Sequence, residues 1–241
     1  MIKSLFEGLN AGEINGLRDI LSLTQQTYPA KTIIPFSDLK SNTIGIINSG
    51  LVELISVDQE GREVILSYYI EGSSFGPYSG DLFEMISDDM PSESSYFLVR
   101  KNTDITYLNY EELLTDRPKY QETCKKIIQN LIRIRFLDSR ARILILSRRS
   151  IRERFMTYLE ILWSDSRRSE QRLLQNDPFR ENEELSNAKR EASVVLPFSY
   201  TDLAGFLIAD RSALMREIKN MKEEGLISED GQRLRLHWKE S

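Results

Sequence analysis

Residues 199–236 of the chain read S-Y-T-D-L-A-G-F-L-I-A-D-R-S-A-L-M-R-E-I-K-N-M-K-E-E-G-L-I-S-E-D-G-Q-R-L-R-L. The pattern predicts a short helix capped by Ser199 and a second helix capped by Asp210, because both residue types accept hydrogen bonds from a helix's first turn. The second helix is expected to end at Gly225 with a positive φ. A hairpin turning at Asp230-Gly231 follows. Helix, turn, helix and hairpin together indicate a winged helix-turn-helix.

The second helix of this stretch has two contrasting faces. Leu214, Ile218 and Met221 recur at helical spacing and are expected to face inward. The outer face holds the candidate DNA-binding residues, which are Arg211, Ser212, Met215, Arg216 and Lys219. A winged helix-turn-helix would place this face in the major groove of DNA. An ordinary helical hairpin with a solvated charged face fits the periodicity equally well.

The order of details in the same stretch resembles the DNA-binding domain of the Crp/Fnr family of bacterial transcription regulators. The resemblance rests on D-L-A at 202–204, D-R-S-A-L-M-R at 210–216 and E-E-G-L-I at 223–227. One position departs from the family pattern, because the family usually has Gly in the turn and this chain has Ile208. A β-branched residue tolerates a positive φ poorly, so the turn is expected to differ in detail.

The first half of the chain changes to short strand-like runs between turn signals. The runs are 32–34, 43–47, 51–57, 64–69, 96–99 and 103–108, with hairpin turns expected at 48–50 and 58–61. Closely spaced short strands favour a small antiparallel barrel or jelly roll. This half also resembles the cyclic-nucleotide-binding-type barrel of the Crp/Fnr family, through I-I-N-S-G-L-V-E-L at 46–54, D-Q-E-G-R-E-V-I-L-S-Y at 58–68 and E-G-S-S-F-G at 71–76.

A long helix is predicted between the two halves, with an apolar stripe at three- and four-residue steps. The candidate dimer-interface residues on this stripe are Ile127, Leu131, Ile134 and Leu137. A persistent stripe on a long helix is typical of a coiled-coil seam between two chains. The alternative is that the stripe packs only on the barrel of its own chain. The resemblance favours the homodimer, because the Crp/Fnr family dimerises through this helix.

The predicted fold class is α+β with three parts. An antiparallel β-barrel or jelly roll forms a sensory domain at 1–115, a dimerisation helix follows at 116–147, and a winged helix-turn-helix domain occupies 148–241. Charge is divided in a similar way: residues 1–115 hold 7 Lys or Arg and 17 Asp or Glu, a net charge of −10, and the remainder has a net charge of +5. This asymmetry suggests that only the second half meets a polyanion.

Two segments precede the winged helix-turn-helix. Ser150 and Glu153 form a capping box that starts a helix. Nearby arginines are candidates for phosphate contacts, and they are Arg148, Arg149 and Arg152. Residues 164–193 are highly polar and are interpreted as a mobile loop, with a frayed helix at 181–190.

The effector, if there is one, is not identified by the sequence. In cyclic-AMP-binding relatives, a Gly-Glu pair and a later Arg-Ser pair hold the ribose and the phosphate. Here Gly76 is followed by Pro77, and Glu93-Ser94 stands near the expected Arg-Ser position. A carboxylate facing the phosphate would repel it, so binding of a cyclic nucleotide in the family manner is not expected.

Other chemistries have little support from the composition. The single Cys124 cannot hold an iron–sulfur cluster, and the single His237 lies near the C-terminus, away from any expected haem or metal site. No phosphate-binding or catalytic glycine motif occurs, so no enzyme activity, metal or cofactor is predicted. A lone cysteine fits a reducing cytoplasm, and no stretch is apolar enough to cross a membrane.

The resemblance implies a homodimeric, sequence-specific DNA-binding transcription regulator. Its expected partners are double-stranded DNA and a second copy of the chain, and RNA polymerase is a candidate further partner. The alternative is a degenerate barrel protein that acts as a ligand-binding or protein-interaction module without binding DNA. The patterns do not distinguish an activator from a repressor, because that difference depends on promoter position.

Overall fold

The computed structural model describes residues 5–35, 39, 42–57, 60–76, 95–175, 192–230 and 233–237, with residues 168–175 described by their backbone alone. The chain forms two compact units. The N-terminal unit contains residues 2–139, and the C-terminal unit contains residues 140–241.

The N-terminal unit is rich in strands. Its elements are α1 (Ala11–Arg18), β1 (Thr24–Tyr28), β2 (Ile33–Pro35), β3 (Thr43–Val57), β4 (Glu63–Ile70), β5 (Ser74–Phe75), β6 (Ser95–Asn109), α2 (Tyr110–Leu114) and a 3-10 turn at Pro118–Tyr120. The long helix α3 (Gln121–Leu146) begins in this unit and ends in the C-terminal unit. The mixed class of helix and strand is therefore as the sequence predicted.

One antiparallel sheet joins these strands in the order β1-β6-β3-β4, with β2 also paired to β6 and β5 to β3. The predicted hairpin turn at 48–50 is wrong, because β3 continues through it and pairs with β6 on both sides. The register of that pairing shifts there. Gly50 has φ +102°, and an added Cβ would lie 2.3 Å from the Thr103 hydroxyl oxygen. The glycine thus marks an irregularity within one strand.

Two apolar clusters lie among the described residues of the N-terminal unit. The first includes four aromatic residues, which are Tyr69, Phe75, Phe97 and Tyr107. The rings of Phe75 and Phe97 have centroids 4.8 Å apart, and Tyr69 and Tyr107 pack beside them. The second cluster joins α3 to α1 and α2, through Leu5, Leu17, Leu21, Ile44, Leu108, Leu113, Cys124, Ile127 and Leu131.

The C-terminal unit combines helices with a small sheet. After the end of α3 its elements are α4 (Ile151–Gln175), β7 (Ala192–Val195), α5 (Tyr200–Phe206), α6 (Arg211–Glu223), β8 (Ile227–Asp230) and β9 (Arg233–Leu236). The three strands form an antiparallel sheet in the order β7-β9-β8. The capping box at the start of α4 is confirmed, because Ser150 Oγ accepts from the Glu153 N–H at 3.2 Å and Glu153 Oε2 accepts from the Ser150 N–H at 3.0 Å.

The polar segment at 164–193 was predicted to be a loop, and this is wrong for its first part. Residues 164–175 continue α4 without a break. Most of these residues are good helix formers, and a capped helix that has already begun extends at low cost. The predicted frayed helix at 181–190 lies outside the described residues.

The core of the C-terminal unit joins α4 to the two short helices. Phe155, Tyr158 and Leu159 of α4 are buried. The Tyr158 ring stacks on Phe198 with centroids 6.0 Å apart, and both rings also contact Phe206 of α5. Helix α4 therefore provides the buried surface against which α5 and α6 pack.

Candidate nucleic-acid interface

Helix α5 begins at the predicted cap residue. Ser199 is its N-cap, and the Ser199 Oγ accepts a hydrogen bond from the Asp202 N–H at 3.2 Å. The inner face of the helix is buried, through Leu203, Ala204 and Phe206. Hydrogen bonding at the first turn and burial along one face together explain why so short a segment is helical.

The turn after α5 adopts the conformation that glycine usually supplies. The Ile208 N–H donates to the Gly205 carbonyl at 3.2 Å, and the Ala209 N–H donates to the Ala204 carbonyl at 2.9 Å. This pair of bonds is a Schellman motif, which requires a left-handed residue after the helix. Ile208 is that residue, with φ +50°. The expectation that Ile208 would alter the turn is therefore wrong for its backbone conformation.

Two arginines hold the carbonyl groups of this turn. The Arg154 Nη1 donates to the carbonyl oxygens of Leu207 at 3.2 Å and Ile208 at 3.1 Å. The Arg142 Nη1 donates to the Phe206 carbonyl, and its guanidinium lies 4.2 Å from the centroid of the Phe206 ring. Carbonyls at the end of a helix carry partial negative charge and attract cations.

The contacts of Arg142 and Arg154 offset the conformational cost of a β-branched residue at positive φ. Burial, and then the charge of Arg154, lower the pKa of Arg142 to about 10. That value leaves the Arg142 guanidinium charged at neutral pH. Sequence reasoning missed both residues. The signal that could have revealed them was Ile208 itself, because a strained residue persists only where its surroundings hold it.

Helix α6 is capped at both ends by the predicted residues. Asp210 is its N-cap, with Oδ1 accepting from the Ala213 N–H at 2.8 Å. Gly225 follows the C-cap with φ +71°. The Gly225 N–H donates to the Lys222 carbonyl at 3.1 Å and the Leu226 N–H to the Met221 carbonyl at 2.9 Å, which is a second Schellman motif.

The inner face of α6 is fully buried and the outer face is exposed. Leu214, Ile218 and Met221 are buried in the unit. The outer face displays all the residues predicted to bind DNA, namely Arg211, Ser212, Met215, Arg216 and Lys219. Three of these five side chains are cations, so the helix presents a positive surface to solvent.

Arg216 is available on this surface. It makes no hydrogen bond or ion pair with the part of the chain that the structure describes. The nearby Asn220 side chain, one turn further along the helix, donates instead to Glu217 at 3.5 Å. Arg216 instead borders an open cavity of about 620 Å³, lined by Ser150, Ile151, Arg152, Ala213, Arg216, Glu217 and Asn220.

Arg152 has a different role from the one predicted. Its Nε donates to Glu217 at 2.9 Å, and its Nη1 and Nη2 donate to the two carboxylate oxygens of Glu224 at 2.8 Å each. Hydrogen bonds with Glu224, and then with Glu217, raise the pKa of Arg152 above its ordinary value. Its guanidinium therefore ties the start of α4 to α6.

The hairpin β8–β9 is joined to both helices by polar contacts. Glu229 of β8 accepts from the Tyr200 hydroxyl at 3.1 Å and from Lys222 of α6. The bond from Lys222 lowers the pKa of Glu229, and burial raises the pKa of Tyr200 to about 12. His237 lies beyond β9, with Nε2 at 2.8 Å from the Ser228 hydroxyl oxygen. These contacts fix the hairpin beside α6.

Burial within the single chain bears on the candidate dimer residues of α3. The candidates were Ile127, Leu131, Ile134 and Leu137. Ile127, Leu131 and Ile134 are at most 5% exposed in a single chain, and the first two belong to the cluster shared with α1 and α2. Side chains already covered by their own unit have no surface to offer a second chain. Leu137 is half-buried.

Another face of α3 is apolar and exposed. Ile132 and Phe136 are 64% and 65% exposed, and a spacing of four residues places them side by side on the helix. Both residues can be read from the sequence, but the dimer interface was predicted on the longer apolar stripe beside them. Large exposed apolar side chains next to each other are typical of a surface that a partner covers.

Part of the predicted effector region can be described. Gly76 has φ +67°, and its carbonyl accepts from Arg135 of α3 at 2.6 Å. Pro77, Glu93 and Ser94, which were judged unsuited to a cyclic nucleotide, lie outside the described residues. Cys124 is buried, and burial raises the pKa of its thiol. Among the residues described, no group of histidine, cysteine and carboxylate side chains could hold a metal ion.

Comparisons with known proteins give a match in structure. No protein-family model and no curated protein matches the sequence. FixK2 from Bradyrhizobium japonicum is 18% identical with a TM-score of 0.61, over 90% of this chain and 94% of FixK2. The c-di-GMP-responsive global regulator CLP from Xanthomonas campestris is 18% identical with a TM-score of 0.57, over 95% of this chain and all of CLP.

A third solved structure with a similar fold is described as a member of the CRP family. A transcriptional regulator of the CRP family from Thermus thermophilus is 18% identical with a TM-score of 0.53, over 88% of this chain and 91% of that one. The chain has the fold of the Crp/Fnr regulators. Within the described part of the chain, none of the helices has the length and apolar character needed to cross a membrane.

Proposed function

We propose that this chain is a homodimeric, sequence-specific DNA-binding transcription regulator of the Crp/Fnr type that acts in the cytoplasm. The observation that carries the proposal is the outer face of α6. Arg211, Arg216 and Lys219 are exposed there, while the opposite face of the helix is completely buried. A tight turn from α5 precedes α6 and the β8–β9 hairpin follows it, which is the order of a winged helix-turn-helix.

In this proposal α6 is the recognition helix. The N-terminal residues of such a helix contact base edges, and Arg211, Ser212 and Arg216 lie in the first turns of α6. The Arg216 guanidinium is the stronger candidate for reading a guanine, because it has a planar fork that fits O6 and N7. Lys219 would contact a phosphate and contribute affinity without sequence preference.

The preorganisation of α6 supports this role. Asp210 fixes its start, Arg152 ties it to α4 through Glu217 and Glu224, and Arg154 holds the turn before it. A recognition helix held at its start, side and preceding turn would meet DNA with little ordering cost. None of these contacts involves Arg211, Arg216 or Lys219, so the three cations of the outer face stay exposed.

We propose that the second copy of the chain covers Ile132 and Phe136 on α3. Two-fold symmetric regulators bind two half-sites, so a dimer would place two α6 helices on one operator. The exposed pair on α3 supplies the apolar surface that a helix-to-helix seam needs. RNA polymerase is a candidate further partner of the DNA-bound dimer.

The N-terminal unit would sense an effector or support the dimer. Its sequence has Pro77 and Glu93 where cyclic-AMP-binding relatives present a carboxylate and a guanidinium. A carboxylate facing the nucleotide phosphate would repel it. Addition of cyclic AMP is therefore expected to leave the melting temperature unchanged, since only a ligand that binds the folded state raises it.

The deciding experiment is selection of bound DNA from a random duplex library, followed by gel-shift titration at two or more salt concentrations. A sequence-specific regulator enriches a motif with two half-sites and binds it more tightly than scrambled DNA, with affinity falling as salt rises. A module that does not bind DNA enriches no motif and shifts neither duplex, and this result would reject the proposal in favour of the degenerate-barrel alternative.

A further inference from the structure

Met215 is an apolar side chain at the centre of the charged face of α6. The large apolar residues of the inner face, Leu214, Ile218 and Met221, are at most 1% exposed. Met215 is 37% exposed and lies on the outer face. A single exposed apolar residue is common on protein surfaces, so exposure alone assigns no role.

The neighbours of Met215 give its exposure a meaning. In a helix, side chains three and four residues apart are adjacent. Arg211 and Ser212 therefore flank Met215 on one side and Lys219 flanks it on the other, all of them exposed. Met215 thus forms the apolar middle of a surface whose edges are polar and cationic.

DNA offers one kind of apolar group to such a surface. The edges of the major groove present hydrogen-bond donors and acceptors, together with the 5-methyl group of thymine. Cations at the borders of a recognition helix reach phosphates and guanine edges, whereas the centre of its face lies against the bases. A methionine at the centre has no polar atom suited to a base edge, but its flexible thioether packs well on a methyl group.

On the basis of the proposed DNA-binding function, we propose that Met215 is a specificity-determining residue that selects thymine by packing against its 5-methyl group. The operator should then contain a thymine at one fixed position in each half-site. Arg216 would read a neighbouring guanine, so each half-site would join a methyl contact to a hydrogen-bonded contact. Met215 contributes selectivity for a base identity that no cation on α6 can supply.

The test removes the methyl group from the DNA and the thioether from the protein. Each thymine of the selected operator is replaced in turn by uracil, which lacks only the 5-methyl group. Binding is measured for the wild type, Met215→Leu and Met215→Gln. Leucine keeps an apolar side chain and glutamine has similar length, and all three residues are good helix formers, so α6 is preserved. Circular dichroism checks that preservation.

The wild type should lose about fourfold in affinity for each half-site at one thymine position, which is the effect of burying one methyl group. Met215→Leu should keep most of this sensitivity. Met215→Gln should bind the thymine operator about fourfold more weakly for each half-site, and uracil should no longer matter to it.

The outcomes separate this inference from the proposed function. Wild type that binds its operator but tolerates uracil at every thymine overturns the thymine contact alone. The same follows if Met215→Gln keeps full sensitivity to uracil, or if the selected half-sites share no thymine. A protein that binds no DNA at all overturns the regulator proposal, and the thymine contact with it.

Discussion

Helices α3 and α6 differ in how much of their apolar surface is buried by the chain itself. Helix α6 has one apolar face, and its own unit buries that face completely, so Met215 is the large apolar side chain left on its exposed face. Helix α3 has two apolar faces. Its own unit buries Ile127 and Leu131, and leaves Ile132 and Phe136 in solvent.

The difference separates two kinds of outward surface. On α6, burial of one stripe completes the packing of the unit, and the outer face is free to carry charge for a polyanion. On α3, burial of one stripe still leaves apolar area exposed, which is the character of a protein–protein interface. In the proposed dimer, the chain itself covers one apolar face of α3 and the second copy covers the other.

The largest expected effect comes from the buried face of α3. Leu131→Ala should lower the free energy of unfolding by about 2–5 kcal/mol, because it leaves a cavity in the core shared with α1 and α2. The control is Lys126→Ala, an exposed position earlier on the same helix and away from Ile132 and Phe136, and it should change stability by less than about 0.5 kcal/mol. Urea denaturation measures both. Equal losses would show that the two residues do not lie on different faces.

The exposed face of α3 should control association. The double substitution Ile132→Asp and Phe136→Asp should convert a dimer into a monomer, because it places charge where an apolar seam is expected. Sedimentation velocity at micromolar concentration reports the change from dimer to monomer. The melting profile should show that the monomeric variant is still folded. Wild type that sediments as a monomer would remove the proposed role of this face.

The outer face of α6 should control base selection. Arg216→Ala should weaken operator binding by about 1–3 kcal/mol and relax the preference at one base pair per half-site. The physical reason is loss of a bidentate contact with a guanine edge. Affinities for a panel of single-base operator variants measure it. If both affinity and preference stay as in the wild type, α6 does not read bases through Arg216.

The smallest effect on stability concerns the turn before α6. Ile208→Gly should raise the free energy of unfolding by about 1 kcal/mol, because glycine adopts the left-handed conformation without the steric cost that a β-branched residue carries. Arg154→Met should be less damaging in that background than with Ile208 present. A double-mutant cycle measured by thermal unfolding gives the coupling. Simple additivity would contradict the view that Arg154 stabilises the strained turn.

The sequence predicted α6 well for a physical reason. Its caps, its three inward residues and its terminal glycine all depend on local rules, so Asp210, Leu214 and Gly225 could be read directly. The strands were harder. β1 was not predicted, because its residues T-Q-Q-T-Y are polar and mostly exposed, and only pairing with β6 makes it a strand. Gly50 was interpreted as a turn for the same reason, since pairing partners are distant in sequence.

On α3, periodicity shows which residues share a face, and not what covers that face. The stripe through Ile127 and Leu131 is the strongest on the helix, and the chain uses it for its own core. Arg142, Arg152 and Arg154 were likewise unpredictable as a set. The partners that link them to the helix-turn-helix are carbonyls at the end of α5 and the turn after it, and carboxylates of α6 and its end, and these partners lie more than 50 residues away.

The claim that the outer face of α6 meets DNA is tested most directly by the salt dependence of operator binding in two matched lysine variants. Lys219 of α6 is 77% exposed and pairs with Glu223, and Lys125 of α3 is 54% exposed and pairs with Glu122. Each is replaced by alanine, and the dissociation constant is measured from low to moderate salt.

Lys219→Ala should reduce the slope of log affinity against log salt by about 1 for each half-site, because one fewer phosphate is neutralised. Lys125→Ala should leave the slope unchanged, although it removes the same charge. Equal slopes for wild type, Lys219→Ala and Lys125→Ala would show that α6 does not lie against the phosphate backbone, and would contradict the central claim.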